Sequence, residues 1–236
     1  MPSVLFGMEV IDLQEEDIEK MQRQENVMMR RMLRAPKYAT IAGMRGEIGI
    51  GTMKSRVVRG RLQYLRRKMQ GSNELIQNVI EGMRENNGGW WKRAAKYLEW
   101  AGMTWEQMRI AIEIEVKGKI AGKVEEEWEQ EIQMKSTLWL YRQFKDEMRE
   151  EDYEGGERSK VWYRARTNCM WLGDRSGEEK CQICGVETLE NLEHFMLECR
   201  ELEGERMGAI ELQRPREENS TEIMGRFLFE ERNVED

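Results

Sequence analysis

The chain has only three prolines among its 236 residues, and few of its segments alternate apolar with polar side chains. Long helices are therefore open to it, whereas strands, which show a period of two, are not expected. No apolar run approaches the roughly 18 residues of a spanning helix, so no membrane segment is expected. The opening stretch, Met1-Pro2-Ser3-Val4-Leu5-Phe6-Gly7, has no basic region ahead of its apolar residues. No secretory signal is expected, and the protein is expected inside the cell. Cysteine is scarce as well: four residues in a long chain and a reducing compartment argue for thiols or metal ligands over disulfides.

Catalytic signatures are missing too. There is no Gly-x4-Gly-Lys-Ser/Thr phosphate loop, no Gly-x-Ser-x-Gly elbow and no Asp-Asp pair of the kind that holds two metal ions. The acidic residues come in solvated runs, such as Glu125-Glu126-Glu127 and Glu150-Glu151-Asp152. No apolar flank is there to tune a carboxyl group for general acid or base work. No catalytic residue is assigned, and the chain is not expected to be an enzyme.

What is present fits a soluble globular protein, with 39% hydrophobic and 35% charged residues. At this length one large or two small domains can form without disulfide staples. The formal charge of -7 is unevenly spread: from Arg23 to Gln70 thirteen basic residues face only Glu25 and Glu47, so this stretch carries +11 and the remainder -18. A local polyanion site is compatible with an acidic chain of this kind.

Asp12 with Glu15 reads as a capping box, and Ile18, Met21, Val27, Met28 and Met32 recur at helical spacing up to Pro36. After a glycine-rich stretch (Gly43, Gly46, Gly49, Gly51), Thr52 caps a second helix. Its inward stripe is Met53, Val57, Val58, Leu62, Leu65 and Met69, and its other face is almost all arginine. Asn73 opens a third helix with Leu75, Ile76, Val79, Ile80 and Met83 inward. Asn86-Asn87-Gly88-Gly89 is a turn, and Trp90 to Ala101 a fourth helix stopped by Gly102. The pattern stays helical from Thr104, and Val124, Trp128, Ile132, Leu138, Phe144 and Met148 predict one long acidic helix from about Lys123 to Glu151. Glu154-Gly155-Gly156-Glu157 pairs glycine with charge and is the candidate hinge. The predicted fold class is mostly α: a helical region over 1–103 with the basic helix, an acidic helical linker over 104–154, and a small cysteine-bearing domain over 155–236 with a closing helix near Thr221 to Arg232.

Three of the four cysteines and the only histidine fall in the pattern Cys181-x2-Cys184-x9-His194-x4-Cys199. A Cys-x2-Cys turn lets two thiolates grip one ion, and Gly185 suits such a turn. A helix starting within Thr188 to Glu193 brings His194 round, and Cys199 follows just over a turn later. Four protein ligands leave no position for water, so one structural zinc ion is expected rather than a hydrolytic one. The alternative is a set of reduced cysteines beside a solvent histidine. A redox Cys-x2-Cys normally sits on a βαβ pattern, and none is visible. Cys169, beside Met170 and Trp171, reads better as a buried thiol than as a fifth ligand.

Lys54, Arg56, Arg59, Arg61, Arg66 and Arg67 on the second helix can neutralise phosphates, and Tyr64 among them can stack on a base. A solvated helix face is the competing reading. Trp90-Trp91, ahead of Lys92 and Arg93, reads as core or as a domain interface. The methionine stripes are core or an adaptable partner surface.

Cys181-Gln182-Ile183-Cys184-Gly185, Glu187-Thr188-Leu189 and His194-Phe195-Met196-Leu197-Glu198-Cys199 together resemble the C-terminal zinc knuckle of non-LTR retrotransposon reverse transcriptases. Arg164, Arg166, Asn168, Leu172 and Arg175 are similar to the segment before that knuckle. Leu5-Phe6-Gly7-Met8-Glu9-Val10 resembles the stretch after the polymerase palm, and Arg30-Arg31-Met32-Leu33 through Pro36 to Gly46-Glu47-Ile48-Gly49 the continuation towards the thumb. The resemblance implies a thumb-like helical region that holds nucleic acid, a helical linker, and a knuckle that helps bind RNA or DNA. Arg164 and Arg166 join the nucleic-acid contacts on this ground. The palm aspartates would precede Met1, and no endonuclease follows Cys199, so neither activity is expected here. A separately encoded polymerase core or another protein is an alternative partner, and a folded remnant with no binding role a further alternative; no membrane partner is expected. The family's chemistry on chromosomal DNA favours the nucleus over the cytoplasm.

Overall fold

The computed structural model describes residues 7–148, 155–172, 180–188, 190–209 and 219–229. Among the described residues the chain is mostly α-helical and has no strand. In order, the helices are α1 (Glu15–Met32), α2 (Ile41–Ile48), α3 (Met53–Met69), α4 (Glu74–Glu85), α5 (Gly89–Trp100), α6 (Trp105–Ile110), α7 (Glu113–Gln133), α8 (Trp139–Phe144), α9 (Glu157–Arg166), α10 (Glu203–Ala209) and α11 (Ser220–Phe229). Two compact units alternate along the sequence: Met1–Val27 with Gly51–Glu129, and Met28–Ile50 with Gln130–Asp236. This differs from the layout read from the sequence. Met28–Ile50 belongs with the cysteine-bearing segment because Met29, Leu33, Ala39, Met44 and Ile48 share one cluster with Tyr163 and Cys169.

In the first unit α3 is the central element, packed by α4, α5 and α6. The Thr52 side chain accepts the Ser55 N–H at 3.1 Å and starts the helix. Val57, Val58, Leu62 and Leu65, spaced for one helical face, are buried to 1% or less exposure. Trp91 meets Trp105 edge-on, with ring centroids 4.9 Å apart, so it is core. At the front, α1 begins at Glu15 rather than on an Asp12 box: the Asp17 carboxylate takes the Gln14 N–H at 3.4 Å, and Asp12 pairs with Arg93. In α4 only Ile80 is buried, while Leu75, Val79 and Met83 are exposed. Its apolar stripe is wider than the edge it packs. Ile76 and Ile80 form one row towards the core, and Leu75, Val79 and Met83 the adjacent row.

In the second unit the glycine-rich stretch is not a loop but α2. Thr40 caps its start, and Gly49 ends it in the left-handed region at φ +68°. Gly43 lets this helix approach closely, because a Cβ there would sit 2.8 Å from Thr167 Cγ2. The single acidic helix predicted to about Glu151 is likewise corrected. The helix α7 ends at Gln133, Lys135 is extended, and a short turn over Ser136–Leu138 leads into α8. The break turns Leu138, Leu140 and Tyr141 inward, all fully buried, and Arg142 bonds the freed Gln133 carbonyl at 3.1 Å. Leu140, Ala165, Leu172, Ile223, Met224 and Leu228 then form a core with Leu192 and Met196. Glu154 of the candidate hinge, and the end of the closing helix beyond Phe229, lie outside the described residues.

Candidate metal centre

Cys181 to Gly185 form a tight turn, with the Gly185 N–H on the Cys181 carbonyl at 2.9 Å and the Cys181 N–H on Val186 at 3.0 Å. Gly185 sits at φ +70°, where an L side chain would be strained. The second half of the site is a wide helical turn. Asn191 starts it by accepting the His194 N–H at 2.8 Å, and the Cys199 N–H reaches back five residues to the His194 carbonyl at 2.8 Å. That extra residue in the turn carries Cys199 round to the side of His194.

The result brings together one ligand atom from each of Cys181, Cys184, His194 and Cys199, all within 4.8 Å of one another. Ligands about 2.0 to 2.3 Å from a tetrahedral ion lie about 3.3 to 3.8 Å apart, so only a small contraction separates this cluster from a coordination sphere. His194 Nε2 is 3.5 Å from Cys184 Sγ. Cys181, His194 and Cys199 are buried, and Cys184 is half-buried. The Val186 backbone directed at the Cys184 sulfur pulls that thiol's pKa down, whereas burial pushes the Cys199 thiol up. An ion bound among them would offset the burial cost of the thiolates. The four residues can hold one metal ion. Cys169 stands apart in its own apolar cluster, accepting from the Thr167 hydroxyl at 3.2 Å.

Glu198 completes the arrangement, one oxygen 3.3 Å from His194 Nδ1. It was not singled out in the sequence, although a carboxylate four residues after a ligand histidine is a readable signal. Asn191 and Arg206 were missed as well. Arg206, itself buried, donates to the Cys199 carbonyl at 2.9 Å.

The nine residues expected to contact nucleic acid differ in what they can reach. Arg61 is wholly buried, donates to the Ile11 carbonyl, and lies 5.6 and 5.3 Å from the Trp90 and Tyr97 rings. Arg166 is also buried, paired with Glu47 at 3.2 Å and bonded to the Leu228 carbonyl. Neither faces a phosphate, because each carries its charge into the core of its unit. Arg56 is paired with buried Glu25, and Arg66 with Glu113 at 3.1 Å. Tyr64 is half-buried under Lys68, and half-buried Arg164 donates to the Lys160 carbonyl. Lys54, Arg59 and Arg67 are exposed. Arg59 and Arg67 share a face by their spacing, while Lys54 projects elsewhere from the first turn of α3.

Fold and site define a mostly helical protein with a three-cysteine, one-histidine group that can hold a metal ion. No protein-family model, curated protein or solved structure matches the chain. No helix among the described residues is long and apolar enough to cross a membrane.

Proposed function

We propose that this chain is a non-catalytic nucleic-acid-binding protein whose second unit is stabilised by one structural zinc ion. It is the thumb-like and knuckle portion of a non-LTR retrotransposon reverse transcriptase-like protein. The observation that carries the reading is the convergence of Cys181, Cys184, His194 and Cys199 on one point. The spacing within the knuckle and the acid-poor stretch from Arg23 to Gln70 support the family and the partner. Zinc suits three thiolates and an imidazole in a closed tetrahedral set, and it ties the turn at Cys181 to α10 through Cys199. The Glu198 contact supports it further, since a carboxylate on Nδ1 leaves Nε2 free for an ion.

RNA or DNA is held through Arg59 and Arg67 on α3, with Arg66 released from half-exposed Glu113 as a third cation. Elemental mass spectrometry on chain purified without chelator tests the metal. About one zinc per chain is expected, lost in both His194→Ala and Cys199→Ser. A native protein without zinc removes the foundation of the reading. Filter binding at moderate salt then tests the partner, and no retained nucleic acid favours the second reading, docking onto another protein. That reading has its own observation: Ile110, Ile112 and Ile114 are exposed at 82%, 59% and 72%, beside a groove of about 590 Å³ lined by Met103, Ala111, Gly118 and Gly122.

A further inference from the structure

Two aromatic rings that the site does not use stand out on the second unit. Trp171 is 75% exposed and Tyr38 41%, and their centroids are 6.4 Å apart with planes inclined at 39°. Tyr38 is held from behind. The Tyr38 hydroxyl donates to the Cys169 carbonyl at 3.3 Å. Arg30 grips the Pro36 carbonyl at 2.7 Å, and the neighbours Ala39 and Leu172 are buried. An outward tryptophan beside a tyrosine is costly to leave in water unless something stacks on it.

The charges around the pair identify the occupant. From Asn26 to Gly46 the chain has five basic residues and no acidic one, and from Arg158 to Leu172 four basic and none acidic, within a chain of net charge -7. Arg45 and Arg166 are consumed in ion pairs with Glu131 and Glu47, and Arg34 and Lys160 share Glu157 at the edge of the second segment. Arg31, Lys37, Arg158 and Arg164 are exposed or half-buried outside those pairs. The two segments are joined by the Tyr38–Cys169 bond and by the Arg34–Glu157 pair at 2.9 Å. Aromatic faces on two segments that carry a surplus of cations match a strand of unpaired bases and its phosphates. They do not match the edge of a duplex, whose bases are already stacked. An apolar protein partner would give no reason for that surplus of cations.

We propose that Trp171 and Tyr38 form a stacking platform for single-stranded nucleic acid, separate from the α3 face. The proposal rests on the nucleic-acid reading and names the form of substrate. A base stacks on Trp171, Tyr38 braces it, and the flanking cations follow the backbone.

Fluorescence anisotropy with the zinc-loaded full chain tests it, using labelled oligo-dT of about 15 nucleotides and the matching duplex. Trp171→Ala should weaken single-strand binding roughly tenfold or more, Trp171→Phe should recover part of it, and duplex binding should stay within about twofold. Because Trp171 is exposed, the variant should keep its helical circular dichroism. Unchanged single-strand affinity in Trp171→Ala overturns the platform, and so does an equal loss on duplex. Self-association of the wild type that disappears in Trp171→Ala assigns the rings to a contact between copies and overturns it too. Wild-type binding to duplex alone defeats this inference and leaves the nucleic-acid reading standing; binding to neither defeats both.

Discussion

His194 is engaged at both ring nitrogens, with Nε2 3.5 Å from Cys184 Sγ and Nδ1 3.3 Å from Glu198. The contact with Glu198 favours the tautomer protonated at Nδ1, which leaves the Nε2 lone pair for an ion. Glu198→Ala should therefore weaken zinc affinity about 10- to 100-fold without abolishing binding. Competition against a chromophoric chelator measures it, and an unchanged affinity would show that Asn191 and packing orient the ring alone. Arg61 poses the opposite question, since a buried cation gains little from its position. Its Nε and Nη1 have no hydrogen-bond partner among the described residues, and burial lowers its pKa. Its guanidinium fills the space over Trp90 and Tyr97. Arg61→Met should change stability by no more than about 1.5 kcal/mol, whereas Arg61→Ala should cost about 2–5 kcal/mol through the cavity it leaves. Urea unfolding followed by tryptophan fluorescence separates the two; a Met variant as unstable as the Ala variant would show that the charge itself is needed.

Among the elements, several with a local start or stop were readable from the sequence. Thr52, Asn73 and Thr104 cap their helices through side-chain oxygens, and Gly102 stops α5 at φ +61°. The α2 helix was not readable, because Gly43, in a glycine-rich stretch that usually marks a loop, is here the means of close approach to Thr167 and Leu138. The break after Gln133 was hidden for a related reason. Trp128, Ile132 and Leu138 keep a plausible helical period across it, and only tertiary burial of Leu140 and Tyr141 reveals the turn. Gly225 in α11 is the sharpest case of packing over propensity. A Cβ there would overlap the Phe144 ring, whereas one at Gly118 in α7 would meet nothing within 4 Å. Gly225→Ala should destabilise the second unit by about 1–3 kcal/mol, and Gly118→Ala should stabilise by about 0.4–1 kcal/mol. Thermal melting of both variants checks the signs; a stabilising Gly225→Ala would mean that the Phe144 ring swings aside at no cost.

Across the whole molecule the four metal ligands could be grouped from spacing alone, because Cys-x2-Cys and His-x4-Cys each fit within one local turn. The two units could not, since the link between Met28–Ile50 and the knuckle segment depends on contacts such as Tyr38 to Cys169, 131 residues apart. Net charge misleads in the same way. The +11 between Arg23 and Gln70 counts Arg45, Arg56 and Arg61, which structure commits to Glu131, Glu25 and the Ile11 carbonyl. What remains for a polyanion on one face of α3 is Arg59 and Arg67, with Arg66 once it leaves Glu113, while exposed Lys54 projects elsewhere. Binding through these three releases about three counterions, so replacing them together with alanine should flatten the slope of log affinity against log salt by about 2 for a single strand and nearly 3 for a duplex. Buried Arg61 gives the control, because Arg61→Met should leave that slope unchanged. Titrations at several salt concentrations decide it. A slope unaffected by the triple variant would move the phosphate contacts off α3, and leave the cations around Tyr38 and Trp171 to carry the binding.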